Sequence, residues 1–240
     1  MKAVVVYKWA RAVASARVRE NGQLDWGGAK MAAGDDDPAA LDVAKAVAGA
    51  GGEVVGLTIG DGETAWALAR GVEAAFAAHQ VGPLTDESAT AQALAQAVRE
   101  LGVVDAVVIG DASAHPGVAP ALAAHLGWPA LLAVGSVEPV AERLLKVTRR
   151  TGNDVETITV ATPVVLGAAA AGEEARPPGM METIKARKKP VTQLAVTPPP
   201  ESVSSAGTRL PATSGAKLLD GSPEEAAAAL VAALRGDGLL

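Results

Sequence analysis

The chain has 240 residues, 49% of them hydrophobic, with a formal net charge of −6, which suits one large α/β domain, or a domain with an arm, and argues against non-specific nucleic-acid binding. It has no cysteine, which excludes disulfides, thiolate metal sites and cysteine nucleophiles. Its aromatic residues are four Trp, one Tyr and one Phe, so the core must be built from Ala, Val and Leu.

Ala3–Tyr7 is a β-branched run and is predicted to be the first, central strand. It starts at the N-terminus without a signal-peptide pattern, and no apolar run reaches membrane-spanning length, so a soluble cytoplasmic protein without membrane insertion is expected. Residues 15–28 alternate around Asn21-Gly22, a dipeptide that supplies the positive φ angles of a tight hairpin. Asp35-Asp-Asp-Pro38 opens a helix running to about Ala50, with acids in its first turn and proline near its start. Glu53–Ile59 reads as a strand, Thr64–Arg70 as a helix and Ala74–His79 as a third strand. Asp86–Leu101 carries apolar residues at Ala91, Leu94, Ala95 and Val98, a helical spacing.

Val103–Ile109 is the next strand. It ends at Gly110, a loop of small residues follows, and Val118–Leu126 is helical. Strand, nucleotide-sized turn and helix together present free backbone N–H groups to a phosphate. Alternating strands and helices argue for a mostly parallel sheet covered on both faces, with a ligand beyond the carboxyl ends of the strands. Its lining is the loops after Val6, Ile59 and Ile109, together with the start of the Pro38 helix.

The pattern changes after Pro129. Leu144–Arg150 and Val155–Ala161 read as a hairpin, and Pro163–Leu166 as a short buried strand. Residues 172–181 read as a loop rich in Pro, Gly and charge, followed by the basic cluster Lys185-Ala-Arg-Lys-Lys189. Left to composition alone, that cluster is a solvated helix end. Residues 192–215 are too polar and broken for a core and read as an arm. Ser222-Pro-Glu-Glu225 is a capping-box start for a helix to about Arg235, placed to dock on this domain or on a partner chain.

Several landmarks in this order carry a resemblance. They are Val4-Val-Val-Tyr-Lys8 with the Arg17-Val hairpin, Asp35–Pro38, and Gly110 through Gly127-Trp-Pro129. Next come Leu145-Lys-Val-Thr-Arg149 with Val155-Glu-Thr157, then Thr183-Ile-Lys-Ala-Arg-Lys-Lys-Pro190 and Ser214-Gly-Ala-Lys217. The chain resembles the β subunit of the electron transfer flavoprotein, as a divergent member. The resemblance implies a Rossmann-like fold of the adenine nucleotide α-hydrolase type, with an added β-hairpin, an extended C-terminal arm and a terminal helix. It divides the chain into a domain over residues 1–191 and an arm with docking helix over 192–240.

The resemblance further implies a heterodimer in which an α subunit holds most of the FAD, while this chain binds AMP, or a second FAD as in bifurcating members. A flavin dehydrogenase would be the electron donor. The implied nucleotide contacts are Val6, Asp36, Asp37, Thr58, Ile59, Gly110, Asp111, Ala112, Ser113, Gly117, Val118 and Ala119. The implied dehydrogenase-docking residues are Met180, at the anchor position counted back from Lys185, and Lys185 itself.

Departures accompany the likeness. The nucleotide loop is about three residues short, Asp111 replaces a lysine, and Val118-Ala119 stands where Thr-Gly is usual. An early carboxylate disfavours a phosphate unless backbone amides, Gly117 among them, compensate. Alternatively the loop is collapsed and Ser113 is an ordinary turn residue. Trp9 stands in for the flavin-facing aromatic or belongs to the core, and Arg150 reverses a charge on the hairpin. No catalytic constellation is legible: His115 beside Asp111 lacks a third group to orient it. The chain is therefore expected to be an electron carrier and not an enzyme. The alternatives are a stand-alone adenine-nucleotide-binding protein and a docking scaffold that has lost its nucleotide.

Overall fold

The computed structural model describes all residues except 61–64, 82–83, 85, 111–114, 170–176, 213–214 and 216–217. In chain order its first elements are β1 (Lys2–Val6), β2 (Ala10–Arg11), β3 (Arg17–Val18), β4 (Leu24–Asp25), β5 (Met31–Ala32), α1 (Asp37–Ala48) and β6 (Glu53–Ile59). Next are α2 (Ala65–Ala69), β7 (Ala74–Ala78), α3 (Glu87–Glu100), β8 (Ala106–Gly110), α4 (Val118–Leu126) and β9 (Ala130–Ala141). The last are β10 (Leu144–Thr151), β11 (Asp154–Ala161), β12 (Val164–Ala168), α5 (Met180–Ala186), β13 (Val191–Gln193) and α6 (Pro223–Gly236).

One nine-stranded sheet organises these elements in the order β11-β10-β9-β12-β8-β1-β6-β7-β13. Every pairing from β9 to β13 along that order is parallel, and only β10 and β11 join antiparallel. This is the expected α/β, mostly parallel, Rossmann-like sheet with an added hairpin. Because side chains alternate along a strand, β1 sends Ala3 and Val5 to one face and Val4 and Val6 to the other. The first face is covered by α1 and α2 through Ala40, Leu41, Ala44, Val47 and Trp66. The second is covered by α3 and α4 through Leu94, Val98, Leu122 and Ala123. Small residues let the layers approach closely: a Cβ on Gly56 of β6 would stand 2.9 Å from the Ala67 Cβ of α2.

The structure corrects the reading of the second half in three places. β9 was not expected. Its Gly135 and Pro139 are strand breakers, and the ladder absorbs both as irregularities, its register to β10 shifting between Leu144 and Leu145 and between Thr148 and Arg149. Met180 and Met181 lie in the first turn of α5, not in a loop. The segment read as too polar for a core contributes an edge strand, β13, beside β7, and then buries Leu194 and Val196 on the α3–α4 face.

Beyond Val196 the chain runs back along α3. Gln96 exchanges two hydrogen bonds with the Thr197 backbone, at 3.2 and 3.3 Å. Asp86, the buried N-cap of α3, accepts the Ser88 and Ala89 N–H groups on Oδ1 and the Ser202 and Val203 N–H groups on Oδ2. Further on, Thr208 donates to the Gly22 carbonyl at 3.0 Å. Gly22, at φ +81° in the β3–β4 turn, lies so close beneath Arg209 and Leu210 that a Cβ would strike their backbone. The α6 cap forms as the sequence predicts, with Ser222 and Glu225 in a reciprocal capping box, and no residue of this helix is buried.

Candidate functional site

Parallel strands place their carboxyl ends on one edge, so Val6, Ile59 and Gly110 come together there. The N-terminus of α1 arrives at the same edge and packs tightly: a Cβ on Gly110 would stand 3.0 Å from the Asp36 Cβ and 3.2 Å from Asp37 Oδ1. Asp37 is buried. Its Oδ2 accepts the Lys8 N–H at 2.9 Å and the Gly34 N–H at 2.7 Å, tying the exit of β1 to the turn before α1. Burial pushes its carboxyl up to about 7, against the opposing pull of those two N–H donors and the Lys8 ammonium.

A second polar group sits just before α4. Lys8 Nζ lies 2.8 Å from His115 Nε2, so that nitrogen is the acceptor and the ring proton is assigned to Nδ1. Nδ1 faces Glu87 Oε1 at 3.9 Å. Partial burial and the Lys8 ammonium push the imidazole below its ordinary value, with Glu87 opposing them. Glu87 Oε2 in turn accepts the N–H of Gly117, the N-cap of α4, at 3.0 Å. A Cβ at Gly117 would overlap that oxygen, so glycine makes the room that the carboxylate fills. Lys8, His115 and the Gly117 N–H thus form a donor set at a helix N-terminus, an arrangement that suits an oxyanion. The anion it faces is a side chain of α3.

The remaining predicted contacts distribute unevenly. Asp36 is the half-buried N-cap of α1, and Thr58 is buried one residue before the end of β6. Val118 and Ala119 are buried by packing, and the Val118 N–H is already given to the His115 carbonyl at 3.3 Å. Asp111, Ala112 and Ser113 lie outside the described residues. Neither Glu87 nor Lys8 was singled out from sequence: Glu87 is 30 residues from Gly117, and only the packing of α3 beside α4 joins them.

Among known families, the electron transfer flavoprotein domain matches residues 29–199. The chain belongs to the electron transfer flavoprotein family. A search of curated proteins found no match. Members of this family are electron carriers rather than catalysts. The matched stretch runs from the β4–β5 connection to just beyond β13 and takes in the start of α1, Ile59, Glu87, Gly110, His115 and Gly117, whereas Val6 and Lys8 precede it.

Other surfaces can now be placed in that domain. Met180 and Met181 are 81% and 65% exposed, and Ile184, one turn on from Met180, is 42% exposed, leaving an open apolar face on α5. Lys185, Lys188 and Lys189 are exposed at the end of that helix, as a solvated basic terminus should be. Ala186 alone anchors α5 to the core. A cavity of about 320 Å³ opens beside it, between α1, α2 and the start of α5, lined among others by Leu41, Lys45, Arg70, Pro178 and Glu182. Trp9 is half-buried against the α1–α2 core, and Arg150 is exposed near the tip of the β10–β11 hairpin. Among the described residues no helix is long and apolar enough to cross a membrane.

Proposed function

We propose that this chain is the β subunit of a heterodimeric electron transfer flavoprotein, passing electrons from a flavin dehydrogenase to a downstream acceptor through FAD held mainly by an α subunit. The observation that carries the reading is the family match over residues 29–199, joined to a terminal helix none of whose residues is buried. The Ala226, Leu230 and Leu234 positions lie on one side of α6, the spacing of a helix that covers a partner's surface. Bound flavin supplies the redox chemistry. This chain's own part is to clamp the partner and to hold an adenine nucleotide, AMP, at the carboxyl edge. There the exit of β1, Thr58-Ile59, Gly110 and the start of α1 would line the nucleotide, and Lys8, His115 and the Gly117 N–H would meet its phosphate.

Co-expression with an FAD-binding partner subunit tests this directly. A yellow complex that releases FAD and AMP on denaturation is expected. A colourless monomer that turns over a nucleotide would replace the proposal with a stand-alone nucleotide-binding protein. A yellow complex without AMP would leave the carrier and remove the nucleotide.

The exposed face of α5 supports a dehydrogenase-docking role for Met180, with Lys185 on the neighbouring stripe. A flexible thioether adapts to an irregular pocket, and exposure leaves it unsupported by its own fold. Met180→Ala should therefore slow electron transfer from the dehydrogenase, read as a raised KM for the carrier, with flavin content and melting temperature unchanged. An unaltered KM would remove Met180 from the docking surface.

A further inference from the structure

We propose that Glu87 is a built-in competitor for the nucleotide phosphate: its carboxylate holds the anion position at the start of α4 and must swing away before a phosphate can enter. The inference rests on the nucleotide reading above and adds to it a device that sets the site's affinity. Glu87 engages the donor set a phosphate would need. Oε2 takes the Gly117 N–H at 3.0 Å, and Oε1 faces His115, whose other ring nitrogen is held by Lys8 at 2.8 Å. The space it fills exists only because residue 117 has no side chain.

Glu87 is not needed where it starts. The first turn of α3 is capped by Asp86, which satisfies the Ser88 and Ala89 N–H groups without it. Its side chain is 35% exposed, so a rotation returns the carboxylate to water at little desolvation cost. Two anions cannot share the position, because a carboxylate and a phosphate at hydrogen-bonding distance from the same N–H repel strongly away from bulk water. A half-buried, rotatable carboxylate on a partly built oxyanion site is a gate and not a permanent plug. The same contact satisfies the Gly117 amide at the N-cap of α4.

The test uses the complex with its FAD-bearing partner, stripped of nucleotide, titrated with AMP and separately with adenosine. Wild type, Glu87→Gln and Glu87→Ala are compared, with melting curves to confirm that each is folded. Both variants should bind AMP more tightly, by about ten-fold or more for the alanine, while adenosine, which has no phosphate, binds all three alike. AMP affinity that is unchanged or weaker in both variants overturns the inference and leaves the nucleotide site standing. So does an equal gain for adenosine, which would point to a general loosening of the pocket. If no version binds AMP or adenosine, the nucleotide reading itself falls, and the gate with it.

Discussion

Asp37→Asn should flatten the fall in stability that the wild-type chain undergoes between about pH 4 and pH 7, and should leave the variant the more stable protein at pH 8. Asp37 is buried at the start of α1, and burial lifts its carboxyl from 3.8 to about 7. Between those values the folded chain holds a proton that the unfolded chain has lost. Stability then falls as pH rises, at up to about 1.4 kcal/mol per pH unit, and the fall levels off above the folded value. Over the whole window the effect is of order 4 kcal/mol, large beside the marginal stability of a domain. Asparagine cannot ionise, yet its amide oxygen still accepts the Lys8 and Gly34 N–H groups that Oδ2 accepts now. Denaturant melts of both proteins at pH 4.5, 6 and 7.5 give the difference curve. Parallel stabilities across that range would show that burial does not raise the Asp37 carboxyl above its unfolded value. The consequence is local to the site, because this carboxyl joins the end of β1 to the turn that positions Asp36 against Gly110.

How much of this was legible in the sequence depends on how local each feature is. The strand Glu53–Ile59 and the helix Val118–Leu126 have the residue limits that their patterns predict, the helix stopping at Gly127 in the left-handed conformation. The strand is fixed by its local apolar run, and the helix by apolar spacing and the glycine that follows it. The β9 strand was hidden because Gly135 and Pro139 obey local rules that the sheet overrides with shifts of register. The arm's contribution to the core was hidden for a similar reason. Leu194 and Val196 are two apolar residues in a Pro-rich stretch, and only the sheet edge at β7 gives them a surface. The candidate site divides along the same line. Gly110, Gly117 and the acidic start of α1 announce themselves as a glycine-ended strand, a helix start and an acidic cap. The Lys8–His115–Glu87–Gly117 chain does not, because it joins residues from three places in the sequence that meet only in the folded protein, with α3 and α4 side by side.

Asp86 lies one residue before that chain of contacts, and Asp86→Asn should free the C-terminal arm while the sheet stays folded. One carboxylate now satisfies four N–H groups, Ser88 and Ala89 within α3 and Ser202 and Val203 in the arm. An asparagine has a single acceptor oxygen, so one of the two pairs must face its NH₂, donor against donor. The helix pair is held in addition by the α3 backbone, whereas the arm pair has no secondary structure behind it, so the arm is the side that lets go. Amide exchange at Ser202 and Val203 should quicken by at least about ten-fold, with Leu194–Thr197 slower to respond because Leu194 and Val196 are buried and Gln96 holds Thr197. Unchanged exchange at 202 and 203 would show that Asp86 does not pin the arm. Acid should reproduce the variant. The hydrogen bonds from Ser202 and Ala89 hold the Asp86 carboxyl below its ordinary value, so its contribution is present above the usual carboxylate range and is lost as pH falls through the folded value. Asp37 acts from higher pH with the opposite sign, so for these two carboxyls together stability is greatest near the ordinary carboxylate value, about pH 4, and falls on either side of it. Release of the arm at low pH should precede unfolding of the sheet, because acid removes the Asp86 carboxylate that ties down the arm while it leaves the buried Asp37 carboxyl protonated, its more stabilising form.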